Sequence, residues 1–233
     1  MTVAQIIQKS SNVGSSKLAL SMTPQTFWGH LSDAGFGMRT GSGFPGEVTG
    51  ILRDFKTWRP IEQATMSYGN GISVSLLQLA RAYTVFANDG ELKPVSLVRQ
   101  AGNVAGETVY APRTARAVRD MLEMVVKPGG TAPLAQIPGY RVAGKTGTAH
   151  KLQNGRYVNE YVASFIGMAP ASDPRLIVAV MVDEPSGAVY YGGLVAAPVF
   201  NNVMSASLRA LDVPYDAPLN NVLQSTQLVE EET

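Results

Sequence analysis

Read as a pattern of apolar and polar positions, the 233-residue chain changes character near residue 140. Before that point the apolar residues recur at helical spacing. "TVAQIIQK" puts Val3, Ile6 and Ile7 on one face, with Thr2 as a cap. "SSNVGSS" interrupts the pattern and "SKLALSM" resumes it. Thr23 and Pro24 then open a helix that stops at Gly35, the order of cap, first-turn proline and terminal glycine that bounds helices. Residues 37 to 60 are dense in Gly, Pro and Thr and read as loop with a short hairpin. A helix follows over about 75 to 88, with Leu76, Leu79, Ala80, Tyr83, Phe86 and Ala87 as its stripe. "SYGNG", ahead of it, reads as a turn with Ser73 or Ser75 capping that helix. Another helix runs over about 112 to 126, with Val118, Met121, Leu122, Val125 and Val126 on one face.

From residue 140 the period becomes that of strands. "YRVAGKTGTA", "YVASFIGMAP" and "RLIVAVMVDE" are rich in Val, Ile, Tyr and Phe, with turns holding "NG" and "SDP" between them. The links are too short for helical crossovers, so the three strands form an antiparallel meander. A last amphipathic helix spans about 196 to 210, and residues 212–233 read as a loose polar tail. Helices gathered ahead of an antiparallel sheet predict an α+β fold.

Composition narrows the chemistry. An apolar fraction of 45% with 16% charged residues is that of a globular chain. Nineteen basic against eighteen acidic residues leave +1 with no basic run, which argues against nucleic acid as a partner. Cysteine is absent, and His30 and His150 are the only histidines, so thiol chemistry is excluded and no metal or other cofactor is expected. The longest unbroken apolar run, "LIVAVMV", is too short for a bilayer, which takes about 20 helical residues. The N-terminus lacks the charged lead, apolar segment and cleavage site of a signal peptide. The expectation is a chain with no membrane segment or address of its own.

Two short constellations carry candidate chemistry. In Lys145-Thr146-Gly147-Thr148 a lysine supplies positive charge for a carboxylate and the hydroxyls can hydrogen-bond it. A glycine in a strand marks close approach of a ligand or another backbone, and a strand edge can pair with an extended peptide. Ser10-Ser11-Asn12 lies between two short helices. Taken singly, the first is better explained by a turn with a solvated lysine, and the second by a helix cap and turn. Their order changes the balance, because an S-x-N motif precedes K-T-G by about 130 residues, as in serine β-lactamases and penicillin-binding proteins.

The flanking text sharpens this. "TVAQIIQKSSNVGSSKLAL", "AGFGMRTGSGFPGE", "ATMSYGNGISVSLLQLARAYTVFANDG", "VVKPGGTAP", "RVAGKTGTAHK", "YVASFIGMAPASDPRLIVAVMVDEP" and "YYGGLVAAPVFNNVMSASLRAL" resemble the C-terminal part of class B penicillin-binding proteins, most closely the division-specific (FtsI, or penicillin-binding protein 3) type. The resemblance covers residues 1 to about 210. It implies that residues 1–211 are the C-terminal portion of a transpeptidase domain and 212–233 a tail. It also implies peptidoglycan D,D-transpeptidase chemistry on cell-wall stem peptides, acylation by β-lactams, division-complex partners and a periplasmic site on the bacterial inner membrane for the full-length parent. By the same resemblance Ser10 relays protons between lysines and Asn12 holds the donor peptide's carbonyl. Lys145 and Thr146 bind its terminal carboxylate, Gly147 leaves room for the acyl chain, and the Thr148 amide completes an oxyanion hole. Tyr190-Tyr191-Gly192-Gly193 either lines the rim of the site or is a packed turn.

One departure stands out. The family's nucleophile is a serine with a lysine three residues later, on one helix face. The seven lysines are preceded at that spacing by Ile6, Gly14, Arg53, Gly90, Met124, Val142 and Thr148. None is serine, and Thr148-x-x-Lys151 lies on a predicted strand, where such positions face apart. The chain is therefore expected to lack the nucleophile, together with the anchor, the pedestal and the first two strands of the family's sheet, and to be inactive alone. The alternative is a non-catalytic module that binds cell-wall peptides or division partners. A β-lactamase or carboxypeptidase shares the motifs but not the flanking text.

Overall fold

The structure is a computed structural model that describes residues 1–102, 104–187 and 189–222. Contacts divide the chain into two units, Met1–Ser11 with Ala117–Thr233, and Asn12–Arg116. The elements run α1 (Val3–Lys9), α2 (Asn12–Leu20), α3 (Pro24–Asp33), α4 (Pro60–Met66), α5 (Leu76–Ala87), the short strands β1 (Glu91–Leu92) and β2 (Glu107–Thr108), and α6 (Pro112–Glu123). Strands β3 (Ala143–Gln153), β4 (Arg156–Ala169) and β5 (Leu176–Asp183) follow, then α7 (Gly192–Ala210). The mixture of helices with an antiparallel sheet is the α+β architecture expected. Among the described residues no helix is long and apolar enough to cross a membrane.

The first unit is built on the sheet β3-β4-β5, antiparallel throughout, with Lys145 opposite Ile166 and Phe165 opposite Val180. Alternation sends Phe165, Val178 and Val180 to one face, where α7 covers them. Phe165 and Phe200 meet edge to face at 4.7 Å, and both are buried with Met204 and Leu208. Gly167 makes that approach possible, since a Cβ there would lie 2.9 Å from both rings. α7 starts earlier than the predicted 196. Its first residues are Gly192 and Gly193, part of the segment read as either site rim or packed turn, and both are glycines because of crowding. A Cβ would come within 2.3 Å of Ser164 O at the first and 1.9 Å of Thr131 O at the second.

The second unit carries α2 to α5, β1–β2 and the loops between them. α4 falls partly in the segment read as loop and was not foreseen as a helix. α5 is capped by Ser75, whose hydroxyl accepts from Gln78 N while Gln78 Oε1 accepts from Ser75 N. Its buried residues are Gln78, Ala82, Tyr83 and Val85, whereas Leu76 and Leu77 are exposed. The apolar stripe thus overlaps the real inner face only in part, because Gln78, whose side chain makes three hydrogen bonds, takes an inner position in the first turn. α6 stops at Glu123, short of the predicted 126, and the next residues form turns. Residues 212–222 are docked rather than loose, as described below, while 223–233 lie outside the described residues.

Candidate active site

Ser10 ends α1 in a left-handed conformation, φ 57° and ψ 42°, unusual for a residue with a side chain. Ser10 N donates to Ile7 O and Ser11 N to Ile6 O, so the helix is closed by a serine where glycine is commoner. The bend leaves the hydroxyl against β3. Lys145 Nζ donates to Ser10 Oγ at 2.6 Å, a contact across 135 residues of sequence. The same ammonium donates to Thr146 O at 3.1 Å and Thr146 Oγ1 at 3.4 Å. Two predicted site residues that are far apart in sequence are therefore in direct contact. Asn12 is the first residue of α2, in the other unit.

Alternation along β3 puts Thr146 and Thr148 on the face opposite Lys145 and Gly147. The Thr146 hydroxyl is buried against that of Thr131 at 2.8 Å. Thr148 Oγ1 accepts from Gly192 N at 3.0 Å, at the first residue of α7. Gly147 O accepts from Ser164 Oγ at 3.2 Å, and a Cβ on Gly147 would stand 2.5 Å from that oxygen. Its glycine character is thus required by β4 as well as leaving the strand surface bare. Among the described residues β3 pairs only with β4, so its outer side is a strand edge carrying backbone donors and acceptors.

Farther along β3 an aromatic row forms. His150 and Tyr161 have centroids 4.4 Å apart, Tyr161 and Tyr190 stack at 3.8 Å and 14°, and Tyr190 and Tyr191 lie 4.6 Å apart. Burial, with the Tyr190 hydroxyl beside it, pushes the Tyr161 phenol above its ordinary pKa. Tyr190 and Tyr191 therefore belong to a stacked surface beside the strand rather than to an isolated turn. Lys151 bridges to Asp183 and Glu184, which holds its ammonium charged well above the ordinary lysine range and pins the β3 end to β5.

Sequence reasoning missed Thr131 and Ser164. Thr131 lies in an irregular loop, and only its place after Gly129-Gly130 hinted at a tight turn. A Cβ on Gly130 would meet Val125 O at 2.1 Å. Ser164 looked like one more residue of an apolar strand. Chemically, the assembled cluster is a cation fixed beside a serine hydroxyl, backed by buried hydroxyls and bordered by a strand edge. Such a cluster suits the binding of a carboxylate at the end of an extended peptide.

Comparison with known proteins gives the same direction. The family described as "Penicillin binding protein transpeptidase domain" matches residues 1–205. A probable peptidoglycan D,D-transpeptidase PenA of Neisseria flavescens is 53% identical over 95% of this chain and 56% of its own length. The peptidoglycan D,D-transpeptidase FtsI of Escherichia coli K12 is 43% identical over 93% of this chain and 37% of its own. The apo structure of the TP domain of Burkholderia pseudomallei penicillin-binding protein 3 superposes with a TM-score of 0.88 at 52% identity, covering 94% of this chain and 67% of that one. The chain therefore spans between about a third and just over half the length of these two sequence relatives.

Proposed function

The chain belongs to the penicillin-binding protein transpeptidase domain family, and from that premise we propose that it forms the carboxylate-binding part of a peptidoglycan D,D-transpeptidase. The observation that carries the reading is the 2.6 Å contact between Lys145 Nζ and Ser10 Oγ, which joins the S-x-N and K-T-G motifs. The Lys145 ammonium and Thr146 take the terminal carboxylate of a stem peptide ending in D-Ala-D-Ala, or the carboxylate of a β-lactam. Fixed positive charge suits this task because charge-assisted bonds to a carboxylate are the stronger kind. Ser10, whose hydroxyl oxygen already accepts from Lys145 Nζ, is placed to pass a proton along the site. Asn12 holds the donor peptide's carbonyl, Gly147 leaves its acyl chain room, and the Thr148 amide serves as an oxyanion donor. A serine oxygen attacks the penultimate D-Ala carbonyl, the terminal D-Ala leaves, and the acyl group passes to an amine of a neighbouring stem peptide. No residue of this chain is assigned as that nucleophile, and the chain is inactive by itself.

In the whole protein the same reading implies acylation by β-lactams, a place on the periplasmic face of the inner membrane and partners in the division complex. The test uses the 233-residue chain. A fluorescent penicillin should leave it without covalent label, and a peptide ending in D-Ala-D-Ala should bind reversibly, perturbing amide resonances at residues 145–148. Lys145→Met should reduce that binding by at least tenfold, about the worth of a charge-assisted hydrogen bond. Covalent label on Ser10 or Ser16 would overturn the assignment of Ser10, and binding indifferent to Lys145 would overturn the reading as a whole.

A further inference from the structure

Beyond α7 the chain folds back across the start of β3. Tyr140 Oη donates to Val213 O at 2.6 Å, and the Tyr140 and Tyr215 rings lie 4.9 Å apart. Asp216 N and Ala217 N both donate to Gly139 O. Asn221 grips the same turn twice, Oδ1 accepting from Gly139 N at 3.0 Å and Nδ2 donating to Tyr140 O at 2.9 Å. Gly139 has φ +81°, and a Cβ there would stand 2.5 Å from the Tyr215 ring. This strap is fitted to the strand lead rather than laid over it.

Asp216 sits at its centre. Its Oδ1 accepts from Arg141 N at 2.7 Å, while Oδ2 accepts from Ser172 N at 3.2 Å and Ser172 Oγ at 2.7 Å. The regular pairing of β3 with β4 begins at Ala143 opposite Met168. It cannot run evenly past Pro170, which has no N–H, and Ala171 N donates to Arg141 O at 2.8 Å instead. The Asp216 carboxylate takes two main-chain amides left over at this end. It is a last rung that neither strand supplies. The Arg141 guanidinium is held as well, by the buried carboxylate of Glu123, so residue 141 is fixed at its N–H, its C=O and its side chain.

We propose that Asp216 is a positioning residue for Lys145. Lys145 lies four residues along the extended chain from Arg141, about 13 Å. Between and just beyond them stand Gly144 and Gly147, which lend the strand little stiffness of its own. A slip of one residue would turn Lys145 to the opposite face, away from Ser10. The strap supplies the stiffness from outside, and the carboxylate sets the phase of the strand at the end nearest the cation. The functional half of this inference rests on the reading of Lys145 as the carboxylate-binding group.

The experiment compares the wild-type chain with Asp216→Asn, which keeps the shape but turns a donor toward one of the two amides. Amide hydrogen exchange, melting temperature and reversible affinity for a D-Ala-D-Ala peptide are read together. Exchange over residues 141–148 should accelerate, with residues 76–87 unchanged, and peptide affinity should fall about two- to thirtyfold. A lower melting temperature with unchanged affinity and unchanged exchange over 141–148 would reduce Asp216 to a staple and overturn the proposal. Should Asp216→Asn not fold, Ser172→Ala removes only the exposed hydroxyl donor and should accelerate the same exchange more weakly; no acceleration overturns the proposal equally. Lys145→Met run alongside separates the two levels. If peptide binding ignores Lys145, the functional reading fails, while exchange still decides whether Asp216 holds the strand.

Discussion

The two units are held together by different physical means. The first is an apolar interior, with Phe165, Phe200, Met204 and Leu208 buried between sheet and α7 and Met168 buried on the sheet's other face. The second leans on polar side chains that reach into main chain. Gln63 Nε2 donates to Ala19 O and Met22 O, and Gln78 Nε2 donates to Met38 O and Thr49 O, each at 2.7–3.0 Å. Thr40 N and its hydroxyl both donate to Glu47, closing the glycine-rich loop between them. The cause lies in the sequence. Within a strand meander most of the backbone is satisfied by the neighbouring strand and apolar cover does the rest, whereas loops such as 37–60 leave carbonyls that something must satisfy. Buried amides do that work there, and the cluster around Lys145 stands on the apolar unit.

The contrast breaks most sharply in the sheet. Phe200→Ala empties the centre of the first unit, where the ring meets Phe165 and the bare surface of Gly167, and should cost about 3–5 kcal/mol in chemical denaturation. A cost below about 1 kcal/mol would mean that the α7 contact is not the main apolar support. Gln78→Leu is the matching change in the second unit, similar in volume but without the amide. It strands Met38 O, Thr49 O and Ser75 N, and should destabilise by about 1–3 kcal/mol despite the added hydrophobicity. A stabilising Gln78→Leu would show that packing rules both units.

The same contrast explains what the sequence disclosed. The three strands were legible because β-branched runs and "NG" and "SDP" turns are local signals, and apolar cover follows from them. The pairing of Ser10 with Lys145 was legible only as a pair, since each motif alone reads as a cap or a turn. α4 was missed because it is a seven-residue helix whose signature is just Pro60 at its start and Glu62 in its first turn. The inner face of α5 was mistaken in part because the pattern counts glutamine as polar and outward, while Gln78 is 2% exposed. Asp216 carried no local signal, and Thr131 only the hint of a turn after Gly129-Gly130. Their placement comes from contacts across 15 and 75 residues, which no periodicity encodes. The tail looked loose because its residues are polar, yet polar residues are what a strand end with unpaired amides can use.

Acid should sharpen the comparison further, with the smallest effect. Glu62 accepts from Arg59 N and Arg53 NH2, both at 2.8 Å, and these bonds hold its carboxyl at about 2 instead of 4.5. The Thr40 hydroxyl draws Glu47 below the ordinary range in the same way. A carboxylate whose folded value is depressed binds fewer protons folded than unfolded between the two values, so stability rises with pH across that window. The contribution of Glu62 is complete above about 4.5, shrinks as pH falls, and is gone below about 2. Lys151 works in the opposite sense at the tip of the sheet, where Glu184 and Asp183 raise its value and the gain disappears only as pH climbs through that raised range. Acidification from pH 5 to 2 should therefore lower the protection factors of the amides over residues 59–66 in wild type, measured against the intrinsic exchange rate at each pH. Glu62→Gln should flatten that dependence and bring the protection at neutral pH down toward its acid level. Superimposable acid limbs for the two proteins would remove the charge-held main chain from the account of the second unit, leaving its buried amides to carry it.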